Sequence, residues 1–294
     1  MFIIKYKKII LSLSLALVII AIAFVAFYGL RFGIDFTGGT LVEIEYTAGT
    51  PAVSDIEQSL ATDFGKVLVQ PTEDNSFILR TRHLEEIERE KLFEILPSKE
   101  SVVEKRFDSI GPIIGEELRA KSYWAIALVI LLIVLYITFA FRKVSKPVSS
   151  WKYGLIAVVT LLHDVVIPTG FFAIYSHFTG GEIDILFVTA LLAILGFSIH
   201  DTIVVFDRIR ENLRVSSGRE TFEITVGKSL SQTFTRSINT SLTVALTLLA
   251  LIFFGSASTT TFAWVLLVGI IAGTYSSIFV ASPLLVVAES LQKK

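Results

Sequence analysis

The chain has 294 residues, 53% of them hydrophobic and 18% charged, with a mean hydropathy of +0.69 and a formal net charge of −1. This balance belongs to a polytopic membrane protein, so length cannot be read as a count of soluble domains. The absence of cysteine excludes a disulfide framework and a thiolate metal site, and nothing in the charge pattern offers a face to nucleic acid.

Lys5, Lys7 and Lys8 precede an apolar stretch from Ile9 to Leu30. At 1.5 Å per residue, a helix of that length reaches roughly 33 Å, enough to span a bilayer. Ala21-Ile-Ala23 resembles a small-residue cleavage site, but the apolar run continues for seven more residues, which favours an uncleaved first span.

Residues 31–121 differ in kind, with 11 Lys/Arg against 18 Asp/Glu, a balance of −7. LVEIEYT (41–47) alternates like a half-buried strand, and SDIEQSLATDF (54–64) reads as a helix capped by Ser54 with Glu57 three residues on. KVLVQ (66–70) and SFILRTR (76–82) flank the turn Pro71–Asn75 as antiparallel strands. HLEEIEREKLFEIL (83–96) is an amphipathic helix ended by Pro97, and SVVEKRFDSI (101–110) is a last strand. The order β-α-β-β-α-β is that of a ferredoxin-like domain.

Gly111-Pro112 marks the return to the membrane. Further spans are predicted at about Tyr123–Phe141, Trp151–Phe178, Ile183–Phe206, Ser237–Phe254 and Thr261–Val287. The fold class is therefore a six-helix membrane protein with an α+β ferredoxin-like domain between spans one and two. Its divisions are 1–30, 31–121 and 122–294.

Orientation follows from the short loops. Arg142, Lys143, Lys146 and Lys152 lie between spans two and three. Arg208, Arg210, Arg214, Arg219, Lys228 and Arg236 lie between four and five, and Lys293 and Lys294 at the end. TGGEID (179–184) and GSASTT (255–260) carry no basic residue. The positive-inside rule then places both termini in the cytoplasm and residues 31–121 outside. In the inner loop, Phe222, Val226, Leu230 and Phe234 recur every four residues. That spacing predicts a separate interfacial helix whose apolar stripe faces lipid or neighbouring helices, either a plain connector or a moving part.

The stretch GFSIHDTIVVFDRIREN (196–212) carries His200 and Asp201 at membrane depth, then Asp207, Arg208 and Arg210 where it surfaces. A charge at the bilayer centre costs roughly 2.5–3.5 kcal/mol on insertion scales, which makes Asp201 a functional candidate; the alternative is that it locks helix packing. His163-Asp164 repeats the dipeptide in span three, about 18 Å along its helix from Lys152, against about 10 Å for Asp201 from Arg208. Pro168 supplies a cause for a kink there, because it cannot bond the carbonyl of Asp164. A carboxyl at such depth can take and release protons, and a neighbouring His can relay them. Arg236 either pairs with Asp201 or Asp207 or snorkels to the headgroups.

Two His and two Asp could in principle hold a metal, but adjacent His-Asp residues diverge by about 100° on a helix. No HExxH is present, no nucleophile has catalytic context, and no phosphate-cradling loop precedes a Lys-Ser/Thr. The expectation is a protein that is not an enzyme, with neither cofactor nor ATP as its energy source. Gly269 and Gly273 form a GxxxG suited to close helix contacts, followed by Ser276 and Ser277.

FGIDFTGGT (32–40) after the first span, together with HDTIVVFDRIREN (200–212), resembles SecF of the SecD/SecF family, within the resistance-nodulation-division superfamily. The resemblance covers nearly the whole chain. In the first motif, Gly38 and Gly39 allow positive φ where the chain enters a strand, and Asp35 can hydrogen-bond the turn, so the motif reads as structural. The resemblance implies a bacterial inner-membrane subunit that pairs with a SecD-like subunit in a twelve-span bundle. It would assist the protein-conducting translocon in moving a polypeptide, drawing on a proton or sodium gradient. It also implies that the intramembrane Asp of the family falls on Asp201 and its span-five Arg on Arg236. His163-Asp164 resembles the family pattern in span three; at His200 that pattern also admits Asn. Two other readings stand beside this one, a half-size efflux transporter of the same superfamily and a non-transporting scaffold subunit.

Overall fold

The computed structural model describes residues 2–72, 75–142, 148–216, 219–255 and 257–292. Lys143, Lys146, Lys293 and Lys294, and the Glu73-Asp74 part of the predicted turn, lie outside the described residues. The chain divides into two compact units. One comprises Met1–Leu30, Trp124–Gly181 and Leu186–Lys294, and the other Arg31–Tyr123 with Glu182–Ile185.

The smaller unit holds β1 (Gly39–Tyr46), α1 (Val53–Phe64), β2 (Leu68–Pro71), β3 (Ser76–Thr81), α2 (Glu86–Ile95) and β4 (Val102–Ile110). Its sheet has the order β2-β3-β1-β4, with every neighbouring pair antiparallel, the arrangement of a ferredoxin-like domain. Period-two alternation sends Val42, Ile44 and Tyr46 of β1 to one face, where they pack with Ile56, Leu60 and Phe64, spaced four apart on α1. Leu92 of α2 and Leu96 close that core.

The predicted Ser54 cap is not formed. The helix begins at Val53 with Ala52 as its N-cap and no side-chain cap, which puts Ser54 inside the first turn. α2 begins later than predicted because Glu85 and Glu88 make a reciprocal capping box. The Gly38-Gly39 pair has the reason the sequence suggests. Their φ angles are +72° and +137°, and a Cβ on Gly38 would lie 2.7 Å from Pro112 Cα.

Six helices are long and apolar enough to cross a membrane among the described residues. They are α3 (Lys7–Tyr28), α4 (Pro112–Ala140), α5 (Ser150–Thr179), α6 (Ile185–Ser216), α7 (Phe222–Phe254) and a sixth from Thr259 to Gln292; numbering here follows the order of introduction. The sixth comprises α8 (Ala257–Ser276), a widened π turn over Ser277–Ala281, and α9 (Ser282–Gln292). Pro283 follows that turn, and the wider pitch relieves the clash its ring would make in a regular helix.

The separate interfacial helix expected over 222–234 is instead the first third of α7. Phe222, Val226 and Leu230 are buried in the core of the membrane unit, while Phe234 is exposed. In the same core Phe141 stacks on Tyr153 with centroids 5.2 Å apart, and both meet Phe206 edge-on. The GxxxG is occupied within the chain: a Cβ on Gly269 would fall 2.1 Å from Ile194 Cδ1, and one on Gly273 3.0 Å from Ser198 Cβ.

One titration tests the smaller unit. Hydrogen bonds from Arg82 and from the Glu85 backbone hold the Glu88 carboxyl down at about 2. Its unfolded value is about 4.3, so the stabilisation is complete above that pH and is lost as pH falls through the folded value. Glu88→Gln should lower the melting temperature near neutrality, and the two profiles should converge between about pH 4.3 and 2 as the wild type loses the same stabilisation. A thermal melt of both proteins across that range reads the difference.

Candidate ion-coupling site

Asp164 has no solvent exposure. On the mostly apolar helix α5 the carboxylate takes partners both from its own helix and from neighbouring ones. Ser198 of α6 and Ser276 of α8 both donate to Oδ2, the latter at 2.7 Å, and His163 Nδ1 lies 2.8 Å from Oδ1. Three helices therefore converge on one group. The His163 ring stacks near Tyr275 at 6.0 Å, and the Tyr275 hydroxyl lies 2.9 Å from Ser14 Oγ on α3. His163 Nε2 is buried without a protein hydrogen-bond partner.

Asp201 sits one helical turn beyond Ser198 on α6 and is 7% exposed. It lines a cavity of about 450 Å3 with Ser198, His200, Thr240, Ser241 and Thr274. His200 and Arg236 act on it electrostatically, and Ser241 lies beside it. Ser241 and Thr274 are themselves hydrogen-bonded across α7 and α8. The hydroxyls of Thr202, next in sequence, and of Ser237 on α7 are buried with no protein partner.

The structure does not bring Arg236 into contact with either predicted carboxylate. Among the described residues no ion pair joins it to Asp201 or Asp207, and Asp207 pairs instead with Arg210 at 2.7 Å. The reason is local: Asp207 and Arg210 are three apart on one helix, whereas Arg236 stands on the exposed side of α7. Arg208 bonds Gln232 at 2.7 Å and Glu211 at 2.5 Å, and Asn212 bonds Ser229 and Gln232, each at 2.8 Å. Asp207, Arg208 and Arg210 thus belong to a polar seam between the C-terminal part of α6 and the N-terminal part of α7, apart from the cavity. Asp35 is also placed differently from expectation, since its carboxylate accepts from Ile185 N–H at 2.8 Å. Sequence reasoning missed Ser198, Thr274 and Tyr275, while Ser241 stands in the polar run that follows Arg236. The available signals were the place of Ser198 one turn before Asp201 and of Thr274 and Tyr275 just before the noted Ser276.

Six helices long and apolar enough to cross a membrane, with an antiparallel sheet domain inserted after the first, define a polytopic helical membrane protein, with its buried carboxylates as the candidate site. The sequence pattern described as "Protein export membrane protein SecD/SecF, C-terminal" matches residues 91–290, and that described as "SecD/SecF GG Motif" matches residues 23–49. A protein translocase subunit SecF from Thermobaculum terrenum is 45% identical over 98% of this chain and 94% of its own. A second, from Anaerolinea thermophila, is 39% identical over 95% and 91%. The crystal structure of SecDF, a translocon-associated membrane protein from Thermus thermophilus, superposes with a TM-score of 0.81 at 33% identity; it covers 98% of this chain and 38% of that one. The chain belongs to the SecD/SecF family, on its SecF side.

The Asp164 cluster makes a stability prediction. Ser198→Ala or Ser276→Ala each removes a hydroxyl donor from a fully buried carboxylate and should cost about 1–3 kcal/mol. Because both act on one oxygen, the double variant should deviate from additivity. Thermal unfolding of the purified protein in detergent measures both effects.

Proposed function

We propose that this chain is the SecF-type auxiliary subunit of a bacterial protein-export translocon, working with a SecD-like membrane subunit. On this reading it uses the proton or sodium gradient to drive late steps of polypeptide translocation. The observation that carries the proposal is the cavity at Asp201, an acidic side chain at membrane depth lined by hydroxyls from three helices. The family membership and the SecDF likeness support a partner that completes the bundle. The basic short loops support cytoplasmic termini and an extracytoplasmic ferredoxin-like domain.

Gain of a cation or proton by Asp201 cancels a charge inside the membrane. Moving one charge through 100 mV supplies about 2.3 kcal/mol, comparable to a modest conformational gap, so a few ions per stroke suffice to bias a two-state movement. Ser241 and Thr240 offer the ion oxygen contacts on the cavity wall. Arg236 adds a positive charge that acts on Asp201 at longer range. Asp164, linked to the cavity through Ser198, responds to the same event through its hydrogen bonds. His200, exposed at the cavity edge, has an accessory role.

Asp201→Asn should assemble normally with its partner and lose the gradient-dependent part of export, leaving the ATP-driven part intact. Arg236→Ala should weaken the same part without abolishing it. Translocation of a secreted precursor into inverted membrane vesicles, in proton versus sodium gradients, measures both. Undiminished gradient stimulation in Asp201→Asn would sink the ion-coupling reading and favour a scaffold subunit.

A further inference from the structure

The motif after the first span has a second role that its turn geometry does not exhaust. Residues Glu182–Ile185, which connect α5 to α6, belong to the same compact unit as the ferredoxin-like domain. They are held there by four separate interactions. Ile183 N–H donates to the Arg31 carbonyl at 2.7 Å and Gly33 N–H donates to the Ile183 carbonyl at 2.8 Å, a one-residue parallel bridge. The Asp35 carboxylate accepts from Ile185 N–H at 2.8 Å, taking up one of the free amides at the start of α6. Arg80 of β3 pairs with Glu182 at 3.1 Å, with the two side chains only 14% and 20% exposed.

The fit is close. A Cβ on Gly33 would stand 3.2 Å from the Ile183 carbonyl oxygen and 3.4 Å from Glu182 Cβ, so a larger residue would push the connector away. Arg80 is itself oriented by a bond to Gln70 of β2 at 2.8 Å. Burial pushes the Glu182 carboxyl up, and Arg80 foremost, then Arg31, oppose that push, while Asp184 adds to it. The ion pair therefore offsets a desolvation cost that either partner alone would carry. The four interactions fall on three of the four connector residues, Glu182, Ile183 and Ile185.

We propose that Asp35, Arg80 and Glu182 form a clasp that makes the α5–α6 connector a fixed part of the extracytoplasmic domain, so that displacement of α6 is passed to that domain. The proposal rests on the ion-coupling reading of Asp201, which lies on the same helix sixteen residues further along. These three are positioning residues. They touch neither ion nor polypeptide and act through the first turn of α6. Their loss uncouples the domain while the membrane site keeps its response to ions.

The test uses the full chain assembled with its SecD-like partner in vesicles, with two readouts. One is gradient-dependent completion of precursor export. The other is the infrared carboxyl signal of Asp201 on changing pH or sodium, assigned by its absence in Asp201→Asn. Arg80→Ala and Glu182→Gln, the latter preserving shape, should each lower gradient-dependent export about fivefold or more. The ATP-driven component, complex abundance and Asp201 signal should be unchanged. The charge swap Arg80→Glu with Glu182→Arg should restore most of the lost export. Full gradient-dependent export in Arg80→Ala and Glu182→Gln overturns the clasp, as does a loss accompanied by an altered Asp201 signal. Failure of the ion-coupling reading is seen separately, in unimpaired export by Asp201→Asn.

Discussion

The fully buried Asp164 carboxylate draws hydrogen-bond partners from two other helices as well as from its own. These are Ser198 from α6 and Ser276 from α8, beside His163 on α5. Leaving such a group unpaired in a medium without water costs several kcal/mol, so the three helices have one relative placement that satisfies it. The backbone approach that makes this possible comes from Gly273, whose missing Cβ leaves room for Ser198. Gly273 shares the packing of α8 on α6 with Gly269 and also sets the reach of a donor to Asp164. The widened turn over Ser277–Ala281 begins immediately after Ser276, so the sixth helix departs from regular geometry next to the group it helps to satisfy.

Two carboxylates thus occupy different surroundings within one bundle. Asp164 is enclosed and held by fixed donors, whereas Asp201 lines a cavity and has no ion-pair partner within contact distance among the described residues. The first suits a group that holds helices in register, and the second suits a group that exchanges its charge. Ser198 belongs to both, since it lines the cavity and donates to Asp164. A change of charge at Asp201 is one turn from the hydroxyl on which the Asp164 network depends.

Local patterns made most of the fold legible. The six spans follow from apolar length, and the β-α-β-β-α-β unit follows from a change of period between two and 3.6. Asp201 and Asp164 stood out because charge is rare at membrane depth. Their partners did not, because Ser198 and Ser276 lie 34 and 112 residues from Asp164 and serine is common in membrane helices. Arg236 is exposed on α7 one turn before the cavity-lining Thr240, and acts on Asp201 electrostatically without an ion pair between them. Ser54 failed as a cap because a hydroxyl one residue inside the helix cannot occupy the N-cap position. The Arg80–Glu182 pair joins residues 102 apart across a motif whose glycines drew attention to the turn instead.

The connector shows why that last omission matters physically. α6 is one continuous helix from Ile185 to Ser216, and Asp201 lies about 24 Å from its first residue along the axis. A hydrogen-bonded helix transmits displacement along its axis far better than a loop does, and close-packed interiors shift between discrete arrangements rather than deform gradually. Such a shift is lost if the helix ends in a slack loop. Here its first amide is held by Asp35 and the preceding residue pairs are held by the backbone of Arg31 and Gly33 and by Arg80. On the proposed reading, a charge event worth only a few kcal/mol needs a stiff path to do anything outside the membrane. The clasp removes the slack from that path at the point where the helix leaves the membrane unit.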